Sequence, residues 1–157
     1  MFRRILVPVD GSPCANRGLR AAVELARDQA AEVVLLHVVD GAVVAQTLAG
    51  VDFAPDTTVD ALVAALRDSG QRILARAQGV LAKAGVAGTT VLREAMGQSV
   101  ADTIVAQARK VHADVIVLGT HGRRGLARVV MGSDAEGVVR TSPVPVLLVR
   151  APARRTR

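Results

Sequence analysis

The chain of 157 residues is half apolar, 22% charged and 1% aromatic, with a single cysteine, Cys14. That length supports one domain whose core needs neither metal nor disulfide, and one cysteine excludes an intrachain bridge. With only Phe2 and Phe53 as aromatic residues, the core must be filled by Val, Leu, Ile and Ala, as in α/β proteins. The formal charge of +6 raises the question of nucleic acid. Three of the arginines stand in the terminal Arg154-Arg155-Thr156-Arg157 and almost nothing can stack on bases, so a nucleic-acid partner is set aside.

The start MFRRILVPVD has no long apolar run or small-residue cleavage site, and no stretch is long and apolar enough for a bilayer. A cytoplasmic protein without a membrane partner is the expectation, as one domain over residues 1–151 followed by a frayed basic tail, 152–157.

In chain order, Arg3 to Val9 reads as a buried strand. Ser12 then offers a natural N-cap and Pro13 a natural first helical residue. Leu19, Ala22, Val23 and Ala26 share one face of the helix that follows, with Cys14 in its first turn as a packed residue. Val33 to Val39 is too continuously apolar for a half-exposed strand and suits a sheet covered on both faces. Asp40 to Thr58 has no firm period and reads as an insertion or flap. A long helix ending near Gly85 carries Leu62, Val63, Leu66, Gly70, Ile73, Leu74, Ala77 and Leu81 at helical spacing, with Gly70 and Gly79 as loosening points.

Thr89 to Glu94 is a shorter, more polar strand, suited to a sheet edge. A helix from Gln98 or Ser99 turns Ile104, Val105, Ala108 and Val111 inward. Asp114 to Leu118 and Val144 to Arg150 complete five strands, and Pro145 inside the last predicts a second edge. Alternating strands and helices with right-handed crossovers give an open five-stranded parallel α/β sheet, with helices on both faces. Ligands of such sheets bind at the strands' carboxyl ends, where the winding reverses, which points to the Asp10 turn and the glycine-rich segment after the fourth strand.

That segment, Gly119-Thr120-His121-Gly122-Arg123-Arg124-Gly125, is followed by Gly132-Ser133 at a helix start. Glycines let a backbone approach a bulky anion, and converging N–H groups with a helix N-terminus form a phosphate cradle. Ser133 and Glu136 have the spacing of a capping box. Arg123 and Arg124 attract a polyphosphate or are simply solvated.

With these residues the chain resembles the universal stress proteins over nearly its whole length. The nucleotide-binding branch carries G-x2-G-x9-G-[S/T], matched by Gly119, Gly122, Gly132 and Ser133, and ILVPVDGS and PVPVLLVR are further hallmarks. The resemblance implies a Rossmann-like fold of the adenine-nucleotide α-hydrolase kind and ATP, with Mg²⁺, as ligand. It also implies that Gly119, Gly122, Gly132 and Ser133 face phosphates and ribose. Pro8, Val9 and Asp10 then line the base and sugar, Val38 offers backbone contacts to adenine, and His121 and Asp134 complete the wall. Many relatives are apolar where Asp134 stands, and a carboxylate there opposes phosphates unless a metal or Arg123 offsets it.

Each position also has a plainer reading: Asp10 as a turn cap, His121 as a turn filler, the glycines as packing. No P-loop, no G-x-G-x-x-G after the first strand and no zinc-ligand spacing occur. The expected function is therefore a nucleotide-responsive regulatory module and not an enzyme. The alternatives are an interaction protein with a vestigial pocket and a slow ATP hydrolase. The apolar last strand, Val144 to Arg150, predicts a homodimer.

Overall fold

The computed structural model describes residues 1–50, 58–95, 97–120 and 132–150, with only the backbone of 47–50. Five parallel strands form one sheet: β1 (Arg4–Pro8), β2 (Glu32–Asp40), β3 (Gly88–Ala95), β4 (Val115–Gly119) and β5 (Val146–Val149), in the order β3-β2-β1-β4-β5. The expected α/β sheet is thus present, with β3 and β5 at its two edges. The winding runs outward from β1 to β2 and β3, then returns to place β4 on the other side of β1. The reversal therefore lies between β1 and β4.

Helices cover both faces. On one, α1 (Pro13–Gln29) and α3 (Val59–Lys83) close a core of Ile5, Val7, Leu19, Val33, Leu35 and Leu74. On the other, α4 (Val100–Lys110) and α5 (Ser133–Thr141) pack Ile104, Val105 and Val138 against Leu6, Leu36 and Ile116. The central strands β1 and β4 are buried on both sides, which is why their sequences are unbroken apolar runs.

Local signals place most boundaries. The Ser12 side chain caps α1 by accepting from the Ala15 N–H at 3.1 Å, with Pro13 following, and Ser99 caps α4 by accepting from Asp102 at 3.0 Å. Leu19, Ala22, Val23 and Ala26 are all buried, as their spacing requires.

Four expectations change. Residues 41–50 form a helix, α2 (Gly41–Gly50), packed against α3, where an aperiodic flap was expected; its composition is apolar nearly all round and leaves no period, and Asp40 receives the Ala42 N–H at 2.9 Å as a start signal. Residues 51–57 and the tail 151–157 lie outside the described residues. Pro145 precedes β5 instead of standing in it, and its carbonyl accepts from the Ile116 N–H at 3.0 Å. Gly70 is a contact point rather than a weak one: a Cβ there would lie 2.5 Å from the His37 ring. The fourth change concerns the start of α5. Gly132 is the N-cap, without a side-chain cap bond, and Ser133 is already inside the helix. The capping box fails because Glu136 reaches forward to Arg140 at 2.7 Å instead of back.

Candidate functional site

At the point of reversal the register of β1 with β4, Ile5 opposite Val115 and Leu6 opposite Ile116, brings Val9 level with Gly119. The pairing of Pro8 with Leu36 likewise brings Asp10 level with Val38. The Pro8-Val9-Asp10 segment, the end of β2 and the end of β4 therefore meet at one edge of the fold, as the sequence predicted. His121, Gly122 and Arg123 lie outside the described residues.

The β1–α1 turn is internally fixed. Val9 is 4% exposed and its N–H donates to the Leu36 carbonyl at 2.8 Å, extending the ladder one residue past β1. Asp10 Oδ1 accepts from the Ser12 N–H at 2.9 Å, and Gly11 takes a left-handed φ of +81° that few side chains tolerate. The turn-capping role of Asp10 is thus real. One oxygen engaged in this way holds the carboxylate at the mouth of the sheet, and a cap and a ligand contact are compatible.

Thr120 anchors the glycine-rich segment at both ends. Its N–H donates to the Val149 carbonyl at 3.1 Å, while its own carbonyl accepts from Gly132 N–H at 2.8 Å. The chain that leaves β4 at 120 therefore returns to the same point at 132 and starts α5 there. Gly132 has φ −63° and ψ 149°, ordinary extended backbone, so its conformation does not demand glycine. A glycine at this N-cap supplies no side-chain acceptor of its own to the first-turn N–H groups. Asp134 and Glu136 stand in that first turn, where they suit the helix dipole but raise the local negative charge.

Gly119 has a packing role that the phosphate reading missed. A Cβ on it would lie 2.7 Å from the Cys14 backbone and 2.9 Å from its Sγ, and a Cβ on Gly18 would lie 3.2 Å from the Gly119 nitrogen. The two glycines let the first turns of α1 press onto the end of β4. Cys14 is the packed residue expected, with Sγ 3.5 Å from the Val149 carbonyl. Val38 turns its side chain to the α4 and α5 face, which leaves its backbone at the mouth.

Thr120 and His37 were missed by the sequence reading. His37 is 7% exposed and its Nδ1 lies 2.7 Å from the Val9 carbonyl, behind the Asp10 turn. A lone imidazole inside the Val33–Val39 run was the available signal. No group of three His, Cys, Asp or Glu with metal-ligand geometry occurs among the described residues, and no described helix is long and apolar enough to cross a membrane.

An open parallel sheet with a crevice at its point of reversal defines a Rossmann-like single-domain α/β protein. The profile of the universal stress protein family matches residues 1–150, and the chain belongs to that family. It is 36% identical over 151 residues to the universal stress protein YxiE of Bacillus subtilis, covering 96% of this chain and 100% of the relative. Among solved structures it is similar to the protein MJ0577 of Methanocaldococcus jannaschii, with TM-score 0.81 and 25% identity over 96% of this chain and 97% of that one. It is also similar to a universal stress protein of Archaeoglobus fulgidus in complex with dAMP, with TM-score 0.65 and 26% identity over 94% and 97% of the two chains.

Proposed function

We propose that this chain binds an adenine nucleotide, ATP with Mg²⁺, between the Asp10 turn and the Gly119–Ser133 segment, and acts in the cytoplasm as a nucleotide-responsive module of the stress response. The observation that carries the reading is the closure of Thr120 on Gly132, which starts α5 beside the carboxyl ends of β1 and β4 with a bare glycine N-cap. Such a helix start favours an anion through its N–H groups and dipole. The dAMP complex of the Archaeoglobus relative supports an adenine nucleotide as the class of ligand.

The residues fit Mg²⁺ only as a shared ion. Without a described three-ligand cluster, the metal would be held by phosphate oxygens and water with one carboxylate, Asp10 or Asp134. When bound it would neutralise phosphate charge, which turns Asp134 from a repulsive neighbour into a useful one. In this reading the role is binding and release, and turnover is the outcome that a hydrolysis assay would report. His121, Gly122 and Arg123 complete the proposed wall, and the exposed edge β5, with Leu147 42% exposed, pairs two copies through Val144–Arg150.

The chain has no Trp or Tyr, so 260 nm absorbance of the purified protein reports co-purifying nucleotide directly. Calorimetry with ATP, with and without Mg²⁺, should show binding that is stronger with the metal. No heat and no thermal stabilisation at millimolar nucleotide would remove the proposal.

A second reading, an interaction protein with a vestigial pocket, is favoured by two observations: the acidic first turn of α5 and the packing role of Gly119. It expects a dimer in light scattering without nucleotide binding. Sustained multiple turnover of ATP would instead place the chain with the hydrolases. A monomer at tens of micromolar, or a dimer unchanged by Val146→Asp and Leu148→Asp, would remove the β5 pairing.

A further inference from the structure

Behind the Asp10 turn, on the face covered by α3, His37 occupies a notch in that helix. The ring is buried, its Nδ1 lies 2.7 Å from the Val9 carbonyl, and the notch exists because residue 70 is glycine. A Cβ at Gly70 would lie 2.5 Å from His37 Cδ2, 3.1 Å from Nε2 and 2.7 Å from Leu92 Cδ1. A carbonyl only accepts, so the ring donates from Nδ1–H.

The backbone pairing of β1 with β2 reaches its end here. Val9 N–H still follows the ladder to Leu36, and the imidazole engages the next polar group, the Val9 carbonyl. That carbonyl belongs to the peptide plane that leads into Asp10. Fixing it fixes where the Asp10 carboxylate and the Ser12 N–H that it accepts from must stand. One turn further along α3, Ile73 lies against Gly11, at 3.4 Å from where a Cβ would be. The Val9–Ser12 turn therefore meets β2 through the His37 hydrogen bond and α3 through Ile73, and α3 supports the polar contact only indirectly, by seating the His37 ring.

We infer that His37 is a positioning residue for the nucleotide site: seated in the Gly70 notch of α3, its Nδ1–H holds the Val9 carbonyl and thereby the Asp10 turn in the binding conformation. The inference rests on the nucleotide reading above for its effect on affinity, but its effect on the turn can be read without ligand. It makes α3 part of the site through the seat that Gly70 gives His37. It also gives Gly70 a role that helix propensity opposes, since alanine there would favour the helix while displacing the ring.

The experiment combines ATP calorimetry with hydrogen exchange at the Ser12 amide of the nucleotide-free protein. His37→Leu removes the donor, and His37→Asn keeps an N–H at the δ position on a smaller side chain. Gly70→Ala fills the notch without touching the loop. His37→Leu and Gly70→Ala are expected to weaken ATP binding and speed Ser12 exchange about tenfold, the scale of one buried hydrogen bond. His37→Asn is expected to stay within about threefold of wild type on the same scale. The double variant with His37→Asn and Gly70→Ala should come close to His37→Asn, because the smaller side chain leaves the Cβ only the flexible end of Leu92 to displace.

If folded Gly70→Ala and His37→Leu keep wild-type exchange at Ser12, the inference is overturned. A purely structural role would lower thermal stability in these variants without the selective loss of affinity or the rescue by Asn. Should wild type bind no adenine nucleotide, the nucleotide reading fails, while the exchange measurement still decides whether His37 holds the turn.

Discussion

The two ends of the sheet are finished in opposite ways. At the amino end, polar groups satisfy one another. Asp114 Oδ2 accepts from the Arg3 and Arg4 N–H groups at 2.7 and 2.8 Å, and the Arg4 side chain reaches both Glu32 and, at 2.6 Å, the Val111 carbonyl. The turns that enter the strands there are tight, with Ala30 and His112 in left-handed conformations. At the carboxyl end, by contrast, the α5 N-cap is a glycine with no side-chain cap, and the acidic Asp134 and Glu136 stand in the first turn. One end is closed by side-chain hydrogen bonds; at the other the N-cap of α5 supplies none, which is where the proposed nucleotide would sit.

The sharpest test of that contrast is Gly119, which belongs to the open end by position and to the packed interior by contact. Gly119→Val must displace the Cys14 backbone, and we expect a loss of about 2–3 kcal/mol in urea unfolding, within the range of overpacked cores. Unchanged stability with lost ATP affinity would mean that its phosphate-facing role prevails.

Gly132→Val is expected to behave in the reverse way. Its extended backbone accepts valine, so unfolding should shift by no more than about 1 kcal/mol, the scale of an N-cap change. Affinity for Mg-ATP should fall about tenfold or more as the side chain crowds the helix start. Equal affinity by calorimetry would place the ligand elsewhere.

At the closed end, Asp114→Ala should cost about 1 kcal/mol at neutral pH, the scale of its hydrogen bonds after allowing for exposure. The two backbone N–H bonds hold the Asp114 carboxyl below its ordinary range. A lowered folded value means that its stabilisation is complete above the unfolded carboxylate's range, near pH 4, and is lost as pH falls through the folded value. Unfolding curves of wild type and variant should therefore converge in acid, and a gap that persists there would assign the effect to packing. The smallest effect belongs to Glu32→Gln. The Arg4–Glu32 pair has side chains 39% and 43% exposed, so we expect a few tenths of a kcal/mol, diminished by salt.

Much of this was legible in the chain. Apolar runs such as Val33–Val39 and the Ser12-Pro13 and Ser99 starts are local signals with local causes, and the structure keeps them. Helix α2 was hidden because its composition is apolar nearly all round, which leaves no period to detect. The Ser133–Glu136 spacing misled because a capping box also requires a particular backbone at the first residue, and here that place falls to Gly132.

By itself, then, the sequence determined the alternation of strands and helices and the meeting of the Asp10 turn with the end of β4, since these follow from periodicity and caps within a few residues, and its short motifs carried the resemblance to the family. Only the tertiary structure decided that Gly119 is pressed against Cys14, that Thr120 closes on Gly132, and that His37 in the notch of Gly70 holds the Val9 carbonyl. Those contacts join residues far apart in the chain, and their selectivity comes from steric fit and hydrogen-bond geometry that no local pattern encodes.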